Sequence, residues 1–189
     1  MRDLRESLSR GEGMVVWICG LSGCGKTTTA RSLASTLRQL GANVVVLDGD
    51  VIRGVLSLTD DADYTSAGRR NVSRRIRRLA QFLSSEGQTV IVTNISGESQ
   101  TLDENRREIG SYFEVHLDAS LELVIERDAK GIYRRALSGK LPHVVGVDLP
   151  YEKPRNPDLR LVVVPDLGTD EIVDSIVASL EQFRLRLSG

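Results

Sequence analysis

Met14-Val15-Val16-Trp17-Ile18-Cys19 runs directly into Gly20-Leu21-Ser22-Gly23-Cys24-Gly25-Lys26-Thr27, and this stretch decides the fold. The first six residues are apolar throughout and rich in β-branched types, as expected of a strand buried on both faces. The next eight match G-x-x-x-x-G-K-[ST], and beyond them Ala30, Leu33, Ala34 and Leu37 recur at helical spacing. Strand, glycine loop and helix in that order make a phosphate cradle. Its glycines let successive backbone N–H groups converge on phosphate oxygens, and the helix N-terminus adds partial positive charge. With Gly near 7% of residues, a chance match in a chain of this length is on the order of one in a hundred. Ser22, Gly23, Cys24, Gly25, Lys26, Thr27 and Thr28 are thus the candidate ATP-binding residues. Lys26 would reach the β and γ phosphates and the Thr27 hydroxyl would ligate Mg²⁺. Cys24 reads as a small filler rather than a reactive thiol.

Outward from the cradle, four more apolar runs (43–47, 89–93, 112–117 and 161–164) alternate with helical periodicities such as Val72, Ile76, Leu79 and Leu83. The alternation predicts an α/β fold, a five-stranded parallel sheet with helices on both faces. Ligands of such sheets lie beyond the carboxyl ends of the strands. Asp48-Gly49-Asp50 falls at one of those ends. As a bare tripeptide it is a turn. Placed after the second strand of a P-loop chain, its two carboxylates, Asp48 and Asp50, can divide Mg²⁺-water binding and acceptance of a hydroxyl proton between them. Downstream, Arg69, Arg70, Arg74, Arg75, Arg77 and Arg78 are dense enough to suggest a solvated helix face. At about 100° per residue, Arg69 and Arg75 flank the apolar stripe and can turn inward toward an anion, while the other four point away. All five prolines lie in the last third, four of them at 142–157, so residues from about 127 to 158 read as a lid and acceptor-binding loop, with 127–138 as a helical segment.

Length and charge bound the rest. At 189 residues the expectation is one domain, with residues 1–13 as a polar N-terminal extension. The 25 basic and 26 acidic residues give a net charge of −1, which supplies no overall field for nucleic acid or a membrane surface. No stretch approaches the roughly 18 apolar residues of a membrane span, so a cytoplasmic location is expected. Two cysteines and two histidines far from them suit neither a disulfide scaffold nor a zinc site. No N-K-x-D guanine-reading motif is present, which disfavours translation-type GTPases.

The ordered blocks G-L-S-G-C-G-K-T (20–27), L-D-G-D-V-I-R (47–53), E-R-D-A-K-G-I-Y-R-R-A (126–136) and G-V-D-L-P-Y-E-K-P-R-N-P-D (146–158) resemble adenylylsulfate kinase, over nearly all of residues 14–165. That family is of P-loop kinase fold with a lid segment and phosphorylates the ribose 3′-hydroxyl of adenosine 5′-phosphosulfate (APS). The resemblance implies that ATP and Mg²⁺ are used and that Asp50 is the catalytic carboxylate. It also implies that Arg53 and Arg69 hold the acceptor nucleotide, Ile95 and Ser96 line it, Arg127 lies against the ATP base, Lys130 faces the acceptor phosphates, and the protein is a homodimer. The acceptor half departs from the family pattern. D-R-x-x-N becomes Gly68-Arg69-Arg70-Asn71-Val72, I-S-P-Y becomes Ile95-Ser96-Gly97-Glu98, and F-T-G-I-D becomes Val144-Val145-Gly146-Val147-Asp148. One of two rings expected around the acceptor base is lost, and Tyr64 is the candidate for the other. A second branch of the family, linked to a cytidine diphosphoramidate acceptor, is similar to this chain at those places, including Arg69 to Leu83. Two acceptors therefore stay open, and a nucleotide-binding regulator without turnover is the alternative from another class.

Overall fold

In the computed structural model, which describes residues 2–95, 98–128 and 130–188, five parallel strands form one sheet in the order β2-β3-β1-β4-β5. They are β1 (Met14–Cys19), β2 (Val44–Asp48), β3 (Thr89–Asn94), β4 (Tyr112–Ala119) and β5 (Leu159–Val163). Each lies within two residues of its expected limits. The cradle-bearing strand sits at the centre of the sheet. Cys19 pairs with Asn94 and Asp48 with Thr93, so the carboxyl ends of β1, β2 and β3 are level and open onto one edge.

The near-continuous apolar runs resolve into two faces with period two. Val16, Ile18, Phe113, Val115 and Leu117 face a core built with Ala30, Leu33 and Leu37 of α2 (Lys26–Gln39) and Ile172, Val173, Ile176 and Leu180 of α9 (Thr169–Ser188). Val15, Trp17, Val90, Val92 and Tyr112 face a second core with Val72, Ile76 and Ala80 of α5 (Ser66–Ser85) and Leu102 of α6 (Ser99–Glu108). Helices thus cover both faces, and none of those described is long and apolar enough to cross a membrane.

Three features differ from expectation. The polar N-terminal stretch contains a helix, α1 (Arg2–Ser9), whose Leu4 and Leu8 are buried in the first core beside α9. Two leucines four apart give it a single apolar edge. Helix α6 was not apparent because among its ten residues only Leu102 is a large apolar one. The segment 127–138 is broken rather than continuous: α7 (Leu121–Arg127) ends before it and α8 (Ile132–Leu137) begins after a turn in which Gly131 has φ 66°. The Asp128 carboxylate accepts hydrogen bonds from the N–H groups of Tyr133 (3.1 Å) and Arg134 (3.0 Å), capping the new helix. Two short helices complete the chain order after β2, namely α3 (Gly49–Val55) and α4 (Asp61–Tyr64).

Candidate active site

The cradle closes over the end of β1 because Gly20, Gly23 and Gly25 all have positive φ (149°, 80° and 101°). At Gly20 a Cβ would also lie 2.6 Å from the Leu117 carbonyl and 2.7 Å from Cys24 Sγ. The Lys26 ammonium folds back over the loop and donates to the carbonyls of Gly20 (2.9 Å) and Leu21 (2.7 Å). A ligand phosphate would take it from these neutral acceptors at small cost, since a charge-assisted bond is the stronger one.

Asp48 joins three elements. Its Oδ2 accepts from the hydroxyls of Thr27 (2.6 Å) on α2 and Thr93 (3.0 Å) on β3, while Oδ1 accepts from the N–H groups of Asp50 (3.0 Å) and Val51 (3.4 Å), capping α3. Burial raises its pKa, but these bonds to the charged form outweigh burial and hold it below the ordinary aspartate value. It is a fixed carboxylate. Asp50, in the first turn of α3, is exposed and paired with Lys130 from the turn between α7 and α8. The two reach each other across the mouth of the cleft.

On the far side Arg53 is 6% exposed, donates to the Asp63 carbonyl (3.0 Å) and lies 4.7 Å from the centre of the Tyr64 ring. Arg69 donates to the carbonyls of Tyr64 (2.9 Å) and His143 (2.8 Å). Burial lowers the pKa of both guanidiniums, and for Arg69 the neighbouring Arg53 adds to it. Neither has a carboxylate partner among the described contacts. Two desolvated cations facing one cavity are suited to holding an anion.

The cavity measures about 610 Å³ and is lined by Ser22, Gly23, Gly25, Lys26, Thr27, Thr28, Asp48, Asp50, Arg53, Tyr64, Arg69, Ile95, Lys130, Val144 and Val145 among others. Three expected residues stand apart, and a fourth is not among those described. Cys24 is buried in the core beneath the loop. Arg127 turns outward to the carbonyls of Val164 and Pro165, both at 3.4 Å. Ser96 lies outside the described residues. Arg75 is exposed on α5 and does not line the cavity, which corrects the inward placement read from its angle. Arg77, expected to point away, is instead buried between Glu104 and Glu108 of α6. The angular argument placed residues around α5 without reference to α6. The Tyr64 ring already carries the Arg53 guanidinium, so a base stacked on it must share or displace that contact.

Thr93, Asn94, Arg135 and His143 also line the cavity and were not anticipated. Thr93 and Asn94 had a usable signal in their position at the carboxyl end of β3. Asn94 bridges the site to α5, donating to the Ser73 hydroxyl (2.7 Å) and accepting from the Ile95 N–H (2.8 Å). The cavity wall at His143 to Val145 is held by Asp148, whose carboxylate accepts from the N–H groups of His143 (2.5 Å) and Val144 (2.6 Å).

Comparison with known proteins agrees with this geometry. Residues 12–162 match the family model described as adenylylsulphate kinase. An adenylyl-sulfate kinase of Deinococcus deserti is 45% identical over 83% of this chain and 84% of its own length. A cytidine diphosphoramidate kinase of Campylobacter jejuni is 36% identical over 74% of this chain and 81% of its own. The structure of the Mycobacterium tuberculosis APS kinase in complex with AMPPNP and APS superposes with a TM-score of 0.82 at 36% identity, covering 90% of this chain and 98% of that one. Taken with the cradle and the two-sided cleft, these matches show that the chain belongs to the adenylylsulphate kinase family.

Proposed function

We propose that this protein is an ATP-dependent kinase that transfers the γ-phosphate of ATP to the ribose 3′-hydroxyl of APS. The observation that carries the reading is the division of one cleft between a phosphate cradle at Lys26 and Thr27 and a buried pair of cations at Arg53 and Arg69, with Asp50 between them. ATP would lie in the cradle with Lys26 swung from the loop carbonyls onto its phosphates. The acceptor anion would lie on Arg53 and Arg69. In the transfer a bond forms from the hydroxyl oxygen to the γ-phosphorus, the bond to the β–γ bridging oxygen breaks, ADP leaves, and the hydroxyl proton passes to Asp50. Lys130 must release Asp50 for this, and an exposed pair of this kind is readily exchanged.

The Thr27 hydroxyl and the ionised Asp48 are hard oxygen donors suited to Mg²⁺, directly or through water. When bound, that ion would neutralise charge on the phosphates. Family resemblance supports a homodimer acting in the cytoplasm, with a solution mass twice the 20.8 kDa of the chain.

Val144 and Val145 favour a second reading, a cytidine diphosphoramidate acceptor. They put apolar side chains where the family pattern carries an aromatic and a hydroxyl residue. A base stacked on an aromatic ring gains about 1 to 3 kcal/mol, and that gain is unavailable from valine. ADP release measured with each acceptor decides between them. A specificity constant for APS of about 10⁵ M⁻¹s⁻¹ or more, inside the usual enzyme range, supports the first reading. A value far below that for APS, with the cytidine compound preferred, supports the second.

A further inference from the structure

Residues 150–158 run from the acceptor wall to β5; Tyr151 and Lys153 bond to His116 and Asp118 of β4, and residues 152, 155, 156 and 158 fasten the strap to α6. Glu152 Oε2 accepts from the N–H (3.1 Å) and the hydroxyl (2.8 Å) of Ser99 at the start of that helix. Arg155 meets Asp103 at 3.3 Å. Asp158 lies 2.8 Å from the guanidinium of Arg106, which also donates to the Asn156 carbonyl (3.1 Å). On the helix, positions 99, 103 and 106 fall on one face. On the strap, positions 152, 155 and 158 recur every third residue, the repeat of an extended polyproline-type chain, and Pro150, Pro154 and Pro157 restrict its backbone.

The charges match in one register only. A carboxylate meets the first turn of the helix, a cation meets Asp103, and a second carboxylate meets Arg106. Sliding the strap one step toward the end of the helix would set Glu152 against Asp103 and Arg155 against Arg106. Like charges would then face each other twice.

What this zipper joins gives it a role. Helix α6 begins five residues beyond Asn94, which ends β3 and with Ile95 lines one wall of the cleft. The strap begins five residues beyond Val145 of the opposite wall, after the turn at 146–149. Between the walls is a side pocket of about 30 Å³ touched by Asn94, Glu98, Thr101, Val145, Leu149 and Pro150. The contact of Glu152 with Ser99 is the rung nearest that gap.

We propose that Glu152 is a positioning residue for the acceptor: by holding Ser99 it sets the spacing of the two walls and so the affinity for the acceptor nucleotide. It touches neither substrate. The ion pairs farther along, exposed on the surface, fix register and little else. The hydrogen bonds from Ser99 also hold the Glu152 carboxyl below its ordinary pKa, so it is charged throughout the neutral range. This inference rests on the kinase reading of the cleft.

The test compares Glu152→Ala, Glu152→Gln, Ser99→Ala and the Ser99→Ala/Glu152→Ala double variant, with ATP and either APS or cytidine diphosphoramidate as acceptor. Glu152→Ala should raise the acceptor KM about tenfold, the loss of a charge-assisted bond, with kcat and the ATP KM within about twofold. Glu152→Gln, whose amide oxygen still accepts both bonds, should recover most of the loss, and the double variant should be no worse than Glu152→Ala alone. An unchanged acceptor KM, or an ATP KM rising in step with it, overturns the proposal. If the unmodified protein turned over neither acceptor, the kinase reading would fail instead, and hydrogen exchange would still decide this one. Glu152→Ala should then speed exchange in both 98–102 and 144–149 while leaving 22–28 unchanged. Exchange unchanged in either wall overturns it.

Discussion

Lys26 donates to two loop carbonyls, Gly20 and Leu21, that lose little when it leaves, so its charge is held in reserve for the phosphates. Lys26→Ala should lower turnover by about 10²-fold or more, the loss seen when a donor to developing charge is removed. Its far-ultraviolet circular dichroism should stay unchanged because the side chain packs no core. Near-normal ADP release from the folded variant would contradict the cradle assignment. Asp50→Asn keeps the size and loses the base, so turnover should fall by about 10² to 10⁴ with ATP affinity little altered. Collapse of ATP binding with a normal rate at saturation would make Asp50 a binding residue. The cradle was legible in the sequence because its glycine spacing is a local backbone requirement. Arg69 was legible by angle, and Arg75 was misread by the same angle because distance along the helix was ignored. Arg75 lies six residues further on, about 9 Å down the axis at 1.5 Å per residue, beyond the reach of the strand ends.

At the scale of elements, β1 announced itself because it is buried on both faces and carries an unbroken apolar run, and β4, equally buried, because Phe113, Val115 and Leu117 alternate with Glu114, His116 and Asp118. Helix α6 did not, since its contacts are polar: Glu104 and Glu108 to Arg77, Asp103 to Arg155 and Arg106 to Asp158. Such a helix leaves no periodic apolar trace. The break between α7 and α8 was equally hidden, although Gly131 marks it. That residue sits at φ 66°, where an added methyl would touch only the Arg134 guanidinium at an ordinary 3.5 Å, so it meets strain rather than a clash. Gly131→Ala should cost about 1 kcal/mol in urea denaturation, the penalty of a left-handed non-glycine residue. Relief of that strain would shift the turn that carries Lys130, so kcat should fall even at temperatures where the variant is fully folded. Unaltered stability and rate would mean that the turn tolerates either residue and sets nothing.

At the scale of the whole molecule, stability carries two opposed proton-linked contributions on one face of β4. Burial pushes Glu114 up to about 7, against the hydrogen bond from the Tyr112 hydroxyl (2.9 Å) and the Arg106 guanidinium 3.8 Å away. Burial pushes His116, bonded to the Tyr151 hydroxyl at 3.0 Å, down to about 4. The signs follow from proton counting. Between about pH 4.3, where an unfolded glutamate titrates, and 7, the folded chain keeps the Glu114 proton that the unfolded chain has lost, so stability falls as pH rises. Between 4 and about 6.5 the unfolded chain holds a His116 proton that the folded chain lacks, so stability rises with pH. Each contribution is on the order of 2 kcal/mol after allowing for solvent screening, and across the shared window they largely cancel. Single substitutions should unmask them. Relative to the unmodified protein, Glu114→Gln should gain unfolding free energy steadily from about pH 4.5 to 7, while His116→Gln should gain it as pH falls from about 6.5 to 4. Each variant also loses or alters a hydrogen bond, but that offset is the same at every pH, so the slope is the diagnostic quantity. Denaturation curves at five or so pH values would measure it. Two parallel, pH-independent offsets would show that neither group changes protonation on folding.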